Sequence, residues 1–293
     1  MHVPVLLRET LEFLHVQPDG TYIDATLGAG GHAEAILKLL PRGQGKLLGI
    51  DRDPSALAEA GQRLQAFGEK VTVLQGNFAE IDALHAASGL PPAQGVLADL
   101  GVSSMQLEDA SRGFSFSLPG PLDMRMDPNT DTTAEAIVNH TRESGLADLI
   151  FKLGEERHSR RIARAIVKAR PIRTTTELAQ VATRAIPSRA GLHHLHPATR
   201  TFLALRLAVN RELENLETFL SKVLSVLAPQ GRLVLISFHS LEDRIVKHAF
   251  SRYKQDGRAC ILTRKVVRPG EEEVWTNPRA RSAKLRAAEK SRE

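Results

Sequence analysis

Between residues 22 and 100 four short apolar runs, at 22–27, 46–51, 71–74 and 94–100, alternate with helical stretches. The first gives way to glycines, and the stretch 32–40 that follows reads as a helix. The second closes on Asp51, the third is followed by Asn77 and Phe78, and Asp99 ends the fourth. Pro54 suits the first turn of another intervening helix, where its missing N–H costs nothing. Strands alternating with helices predict an α/β fold with a parallel sheet covered on both faces. Open sheets of this kind bind ligands outside the carboxyl ends of their strands. Those four ends are therefore where a site is expected.

The rhythm breaks after the fourth run. Residues 101–130 are rich in Gly, Ser, Pro and Met, and a loop this long is usually functional. Residues 133–197 read as helical, with Ile162, Ala163, Ile166 and Val167 on one face and Arg157, Arg160, Arg161, Arg164 and Lys168 largely off it. Thr174 and Glu177 have capping-box spacing. Pro197 is placed to open one long helix carrying Phe202, Leu205, Val209, Leu213, Leu216 and Leu220. A fifth strand is expected at 232–237, a helix at 241–250, and two last strands at 259–267 and 281–288. The simplest organisation is one α/β domain, 1–104 with 212–293, interrupted by a loop and a helical, basic insertion, 105–211.

Charge is unevenly spread along the chain. Residues 1–100 hold 7 Lys and Arg against 12 acids, whereas 157–211 hold 12 against Glu177 alone and 244–293 hold 14 against 6. Two strongly basic segments predict a polyanionic partner, with nucleic acid favoured over a merely solvated face. The single cysteine, Cys260, rules out an internal disulfide and fits a reducing compartment. No apolar run reaches the ~18 residues of a membrane span, and the start lacks a signal-peptide pattern, so a soluble, cytoplasmic protein without membrane partners is expected.

The loop Asp24-Ala25-Thr26-Leu27-Gly28-Ala29-Gly30-Gly31-His32 allows a tight turn and close backbone approach to a ligand. The helix after it offers unpaired N–H groups to a pyrophosphate or a carboxylate. Asp51, about twenty residues on, is placed to bind ribose hydroxyls. Phe78 is placed to cover an adenine. These residues indicate a nucleoside-containing cofactor, and by themselves leave nicotinamide dinucleotide and S-adenosylmethionine both open.

A set of motifs narrows the choice. In order along the chain these are HVPVL at 2–6, GAGGH at 28–32, DRDP at 51–54, DLGVSS at 99–104, RGFSF at 112–116, PLDMRMDP at 121–128, GEER at 154–157, HPATRTF at 196–202, SFHSLEDR at 237–244 and NPRARS at 277–282. Together they resemble the bacterial small-subunit ribosomal RNA cytosine-N4 methyltransferases, the MraW-like methyltransferase H family. The sequence departs from that pattern in Met105, where many relatives carry proline, and in a short 251–269 segment.

The resemblance implies a class I, Rossmann-like fold with a seven-stranded, mostly parallel sheet and an inserted helical domain. It implies S-adenosylmethionine as cofactor. The implied reaction is methylation of the N4 amine of a decoding-centre cytidine in small-subunit (16S) rRNA, the partner being that RNA within the 30S subunit; the oligomeric state stays open. It assigns Gly30, Gly31 and His32 to the methionine end of the cofactor, Asp51 to the ribose and Phe78 to the adenine, with Asp99 and Gln106 completing the pocket.

Asp99 is the candidate catalytic residue, a carboxylate able to accept a hydrogen bond from the cytosine amine; a cofactor-only role is the alternative. Phe114 and Phe116 are candidates to stack on an extruded base, or else anchors of their loop. Arg125 is a candidate substrate contact or an ordinary ion pair. His239 either lines the substrate entrance or is a structural group. Arg157 and Arg161, with Arg160, Arg164 and Lys168, are candidates to meet phosphates or to keep the insertion soluble. His193, His194 and His196 cluster, but only His196 fits the motif, and no metal is expected. An oxidoreductase would leave the basic insertion unexplained, and a non-catalytic assembly factor would leave the complete cofactor set unexplained.

Overall fold

The computed structural model describes residues 4–40, 44–187 and 196–292. The chain divides into two compact units, Met1–Gly101 with Leu213–Glu293, and Val102–Glu212. The sequence reading places these breaks at 104/105 and 211/212.

The first unit is built on strands β1 (Thr21–Asp24), β2 (Lys46–Asp51), β3 (Val71–Gln75), β4 (Ala93–Asp99), β5 (Leu227–Ser237), β6 (Ala259–Ile261) and β7 (Lys284–Lys290). They form one seven-stranded sheet in the order β3-β2-β1-β4-β5-β7-β6. β1 to β5 run parallel, and β7 lies antiparallel between β5 and β6. Successive side chains alternate between two buried faces. Tyr22, Leu47, Leu97 and Val234 pack on one side with Leu6, Leu14, Ile36, Leu37 and Leu64. Ile23, Leu48, Val96 and Leu233 pack on the other with Leu216, Phe219, Val223, Val246 and Phe250. Each such apolar side chain contributes roughly 1.5–3 kcal/mol on full burial.

Register carves a notch at the carboxyl edge. Asp24, the last residue of β1, stands opposite Gly49 of β2 and Leu97 of β4. Both neighbours continue two residues further, to Asp51 and Asp99. Regular pairing of β1 thus ends two residues before that of the strands beside it, and residues 25–27 lead into the glycine loop with single bonds to each neighbour. The order of strands also reverses here, between β1 and β4, which is the crevice where α/β sheets hold ligands.

Several sequence expectations need correction. The first strand ends at Asp24, and residues 25–27 turn inward, with Ala25 N–H donating to Leu97 O at 2.8 Å and Leu27 N–H to Ile50 O at 2.8 Å. The long helix expected from Pro197 is two helices, Thr199–Asn210 and Glu212–Val226, broken where Arg211 adopts φ 49°. Its apolar spacing runs through the break because both halves bury a face. The strand expected at 259–267 is only Ala259–Ile261, with an isolated bridge from Val267 to Leu285 and a short helix, Glu271–Thr276, before β7. A helix at Leu7–Leu14 was not anticipated.

The second unit consists mainly of helices Ala134–His140, Glu143–Gly154, Ser159–Ala169, Thr175–Ala185 and Thr199–Asn210 around Val138, Leu146, Ile150, Ile162, Ile166, Leu178 and Leu205. The Thr174 and Glu177 capping box forms as read, with Glu177 N–H donating to Thr174 Oγ1 at 3.3 Å and Thr174 N–H to Glu177 Oε2 at 3.0 Å. Part of the expected loop is helical, Ser104–Glu108, capped by a Ser103 and Gln106 box. Asn210 pins the rest: its Oδ1 accepts from Met126 N–H at 2.8 Å and its Nδ2 donates to Met124 O at 2.8 Å.

Candidate active site at the carboxyl edge of the sheet

The glycine loop joins β1 to the helix Gly31–Leu39. Gly30 caps that helix at φ 78°, a left-handed conformation glycine adopts freely. No side chain caps this end, so first-turn amides are available to an anionic ligand. At Gly31 a Cβ would lie 2.7 Å from Pro4 Cγ, so the amino-terminal segment can approach only a glycine.

Asp51 holds the loop as well as facing the crevice. Its Oδ2 accepts from Gly28 N–H at 2.8 Å and its Oδ1 from Asp53 N–H at 2.9 Å. Asp53 in turn caps the helix Pro54–Leu64 through Ser55 N–H at 3.0 Å. Burial raises the Asp51 pKa against the pull of those two N–H groups. Asp51 thus ties the glycine loop to the turn that follows β2.

Asp24 was not among the sequence-predicted site residues. It is 1% exposed at the bottom of the notch, with Oδ1 accepting from Thr26 N–H at 3.2 Å. Burial pushes its pKa up to about 7, resisted by His32 and the Thr26 N–H and reinforced by Asp99 and Asp51. The available signal was its place in the glycine loop at the strand end. Its burial follows from the short β1, which a hydrophobic pattern does not resolve.

Asp99 and His32 meet above it. Asp99 N–H donates to Thr26 Oγ1 at 2.6 Å, which ties the end of β4 to the glycine loop. His32 Nε2 lies 3.6 Å from Asp99 Oδ2. Among the described residues neither His32 ring nitrogen nor Asp99 Oδ1 has a hydrogen-bond partner, although all three atoms are buried. Buried polar atoms left this way are costly and mark a place for a polar ligand. The carboxylate of an amino acid suits the uncapped helix terminus. Phe78, half-buried beyond the end of β3, sets its ring edge-on to Phe219 at 5.2 Å, while Asn77 caps the turn through Ala79 N–H at 3.0 Å.

His239 follows β5 and caps the helix Ser240–Gln255, its Nδ1 accepting from Glu242 N–H at 3.4 Å. Its Nε2 is 3.2 Å from Glu242 Oε1, and Glu242 Oε2 accepts from Phe238 N–H at 2.9 Å. The residue is employed in holding that helix start.

The remaining candidates belong to the second unit. Gln106 is buried, with Oε1 accepting from Ser103 N–H at 3.0 Å. Phe114, 7% exposed, is part of the helical core, so it anchors the loop and offers no open face for a base. Phe116 is half-buried, stacked on His196 at 4.6 Å and edge-on to Phe202 at 5.0 Å. Arg125 is ion-paired: Nε and Nη2 reach the two Asp123 oxygens at 2.9 and 2.8 Å, and Nη1 donates to Pro128 O and Thr130 O, each at 2.7 Å. Arg157, Arg160, Arg161 and Lys168 are exposed, as is Arg164, which lies 3.5 Å from Glu143. Among the described residues no group of His, Cys, Asp and Glu is set to hold a metal ion; His193 and His194 lie outside them. No helix among the described residues is long and apolar enough to cross a membrane.

The strand order, the reversed β7 and the acid-lined notch define a class I methyltransferase domain. A model of the MraW methylase family matches residues 1–291, and the chain belongs to that family. S-adenosylmethionine is its cofactor. Relatives named ribosomal RNA small subunit methyltransferase H include those of Koribacter versatilis, 53% identical over 98% of this chain and 93% of its own, and Acidobacterium capsulatum, 52% identical over 99% and 98%. That of Synechococcus elongatus is 51% identical over 99% and 94%.

Proposed function

We propose that the protein methylates small-subunit (16S) ribosomal RNA, at the exocyclic N4 of a decoding-centre cytidine, within the 30S subunit. The observation that carries the catalytic part is the Asp99 carboxylate, with one oxygen unpartnered and the other 3.6 Å from His32 Nε2. The relatives' names supply the RNA, and the exposed cations of the helix Ser159–Ala169 supply a surface for its phosphates.

Gly30, Gly31 and His32 hold the methionine end of the cofactor, Asp51 the ribose and Phe78 the adenine. When bound, the cofactor presents an electrophilic methyl group. The cytosine amine is a weak nucleophile because its lone pair is delocalised into the ring, so orientation matters most, and positioning can contribute up to ~7–11 kcal/mol. Asp99 accepts a hydrogen bond from the N4 amino group and fixes its direction. Once nitrogen carries the new methyl it must lose one proton, and Asp99 takes it. Protonated Asp99 can share that proton with His32, whose ring is otherwise unsatisfied. Arg157, Arg161 and their neighbours grip the backbone of the substrate.

The test is methyl transfer from radiolabelled S-adenosylmethionine to purified small subunits and to protein-free RNA, followed by nucleoside analysis. Label in N4-methylcytidine is expected, and in subunits more than in free RNA. Label in another nucleoside would overturn the assigned base, and no label with either substrate would overturn the reaction.

A further inference from the structure

Trp275 is the chain's single tryptophan and is 84% exposed. A side chain of this size is ordinarily largely buried, so its exposure asks for a ligand. It stands on the short helix Glu271–Thr276, in an open hollow that Pro269, Glu271, Val274 and Pro278 also line. Exposed cations flank that hollow along the chain: Arg264, Lys265 and Arg268 before it, Arg279 and Arg281 after it. Three acids intervene. Glu273 is committed, its Oε1 accepting from Leu6 N–H at 2.7 Å. Glu271 and Glu272 occupy the first helical turn, where the helix dipole favours them.

We propose that Trp275 is a stacking platform for an unpaired base of single-stranded RNA, with the flanking arginines and lysine holding the adjacent phosphates. The inference rests on RNA being the substrate and adds a contact remote in sequence from every residue assigned to the cofactor. An indole face accepts any base, and cations beside it track the backbone, which is the pattern of single-strand binding surfaces. The exposed cations at 264, 265, 268, 279 and 281 favour a polyanion over a protein face as the occupant.

With one tryptophan, intrinsic fluorescence reports on this position alone. Full-length protein is titrated with a single-stranded RNA of about a dozen nucleotides, within the usual site size. Emission should be quenched along the same binding curve as the anisotropy of the end-labelled RNA, and a fully paired duplex of equal length should quench far less. Trp275→Ala should weaken single-strand binding on the order of 10-fold and Trp275→Phe by less, and Trp275→Ala should raise KM for small subunits while leaving kcat within about twofold. RNA binding with unchanged emission, or wild-type affinity in Trp275→Ala, would overturn the platform. So would an emission change produced by anionic phospholipid vesicles or by self-association but not by RNA. Methyl transfer to subunits without quenching removes the platform alone, whereas quenching without methyl transfer leaves it standing and removes the assigned reaction.

Discussion

The two units place charge differently at their candidate sites. In the sheet unit Asp24, Asp51 and Asp99 gather at the strand ends, their oxygens facing backbone N–H groups and, for Asp99, His32 Nε2 at 3.6 Å. The helical unit carries Arg160, Arg161, Arg164 and Lys168 on the exposed face of Ser159–Ala169 opposite Ile162 and Ile166, and braces its interior with Asn210 and with the Asp123–Arg125 and Arg206–Glu212 pairs. A buried carboxylate such as Asp24 has a raised pKa and a fixed direction, which suits chemistry. An exposed arginine has neither, and suits adhesion to a polyanion whose exact position varies.

The largest expected effect breaks the sheet unit's side of that contrast. Asp99→Asn should lower kcat by about 100-fold or more, the scale of a lost proton acceptor, while cofactor affinity measured by calorimetry falls less than about tenfold. Equal losses would reduce Asp99 to a cofactor ligand. On the helical side, changing Arg157, Arg160, Arg161 and Lys168 together to Gln should weaken RNA binding by about 100-fold at moderate salt and flatten the plot of log affinity against log salt by roughly 3. Cofactor binding should not change. An unaltered slope would make these residues a solvated face only.

Asp24 sharpens the comparison through pH. Its pKa is raised from 3.8 to about 7, so between those values the folded protein holds a proton that the unfolded chain has lost. Stability from this group is therefore greatest in acid and falls as pH rises toward 7. Asp24→Asn should remove that loss, making the variant more stable than the parent at pH 8, by on the order of 1–3 kcal/mol, and little different near pH 4. Chemical denaturation at the two pH values measures this; a pH-independent difference refutes it.

The smallest effect concerns Arg125, half in solvent and half in its loop. Arg125→Ala should destabilise the helical unit by about 1–2 kcal/mol in denaturant melts, since it deletes a bidentate pair and two carbonyl bonds. RNA affinity lost without any change in melting would return Arg125 to the substrate.

Much of the frame was legible in the residues. Period-two burial, Pro54 at a helix start, the Thr174 and Glu177 box, and Gly30 with Asp51 at strand ends all depend on neighbours within a few residues or on a repeating pattern. Phe114 and Arg125 were ambiguous because an aromatic or a guanidinium in a loop suits a ligand and a core equally well. Packing places Asp123 beside Arg125 and the helical core around Phe114, which no local pattern announces.

The sequence by itself therefore determined the alternation of strands and helices, the glycine turn, the interruption after the fourth strand and the location of the cations, because these are local or compositional properties. Only the tertiary structure decided that β1 ends its pairing at Asp24, that Asp24 is buried, and that His32 Nε2 stands 3.6 Å from Asp99 Oδ2. Those relations depend on strand register and on helix packing between segments some seventy residues apart, and it is there that the desolvation and unsatisfied valences of the site arise.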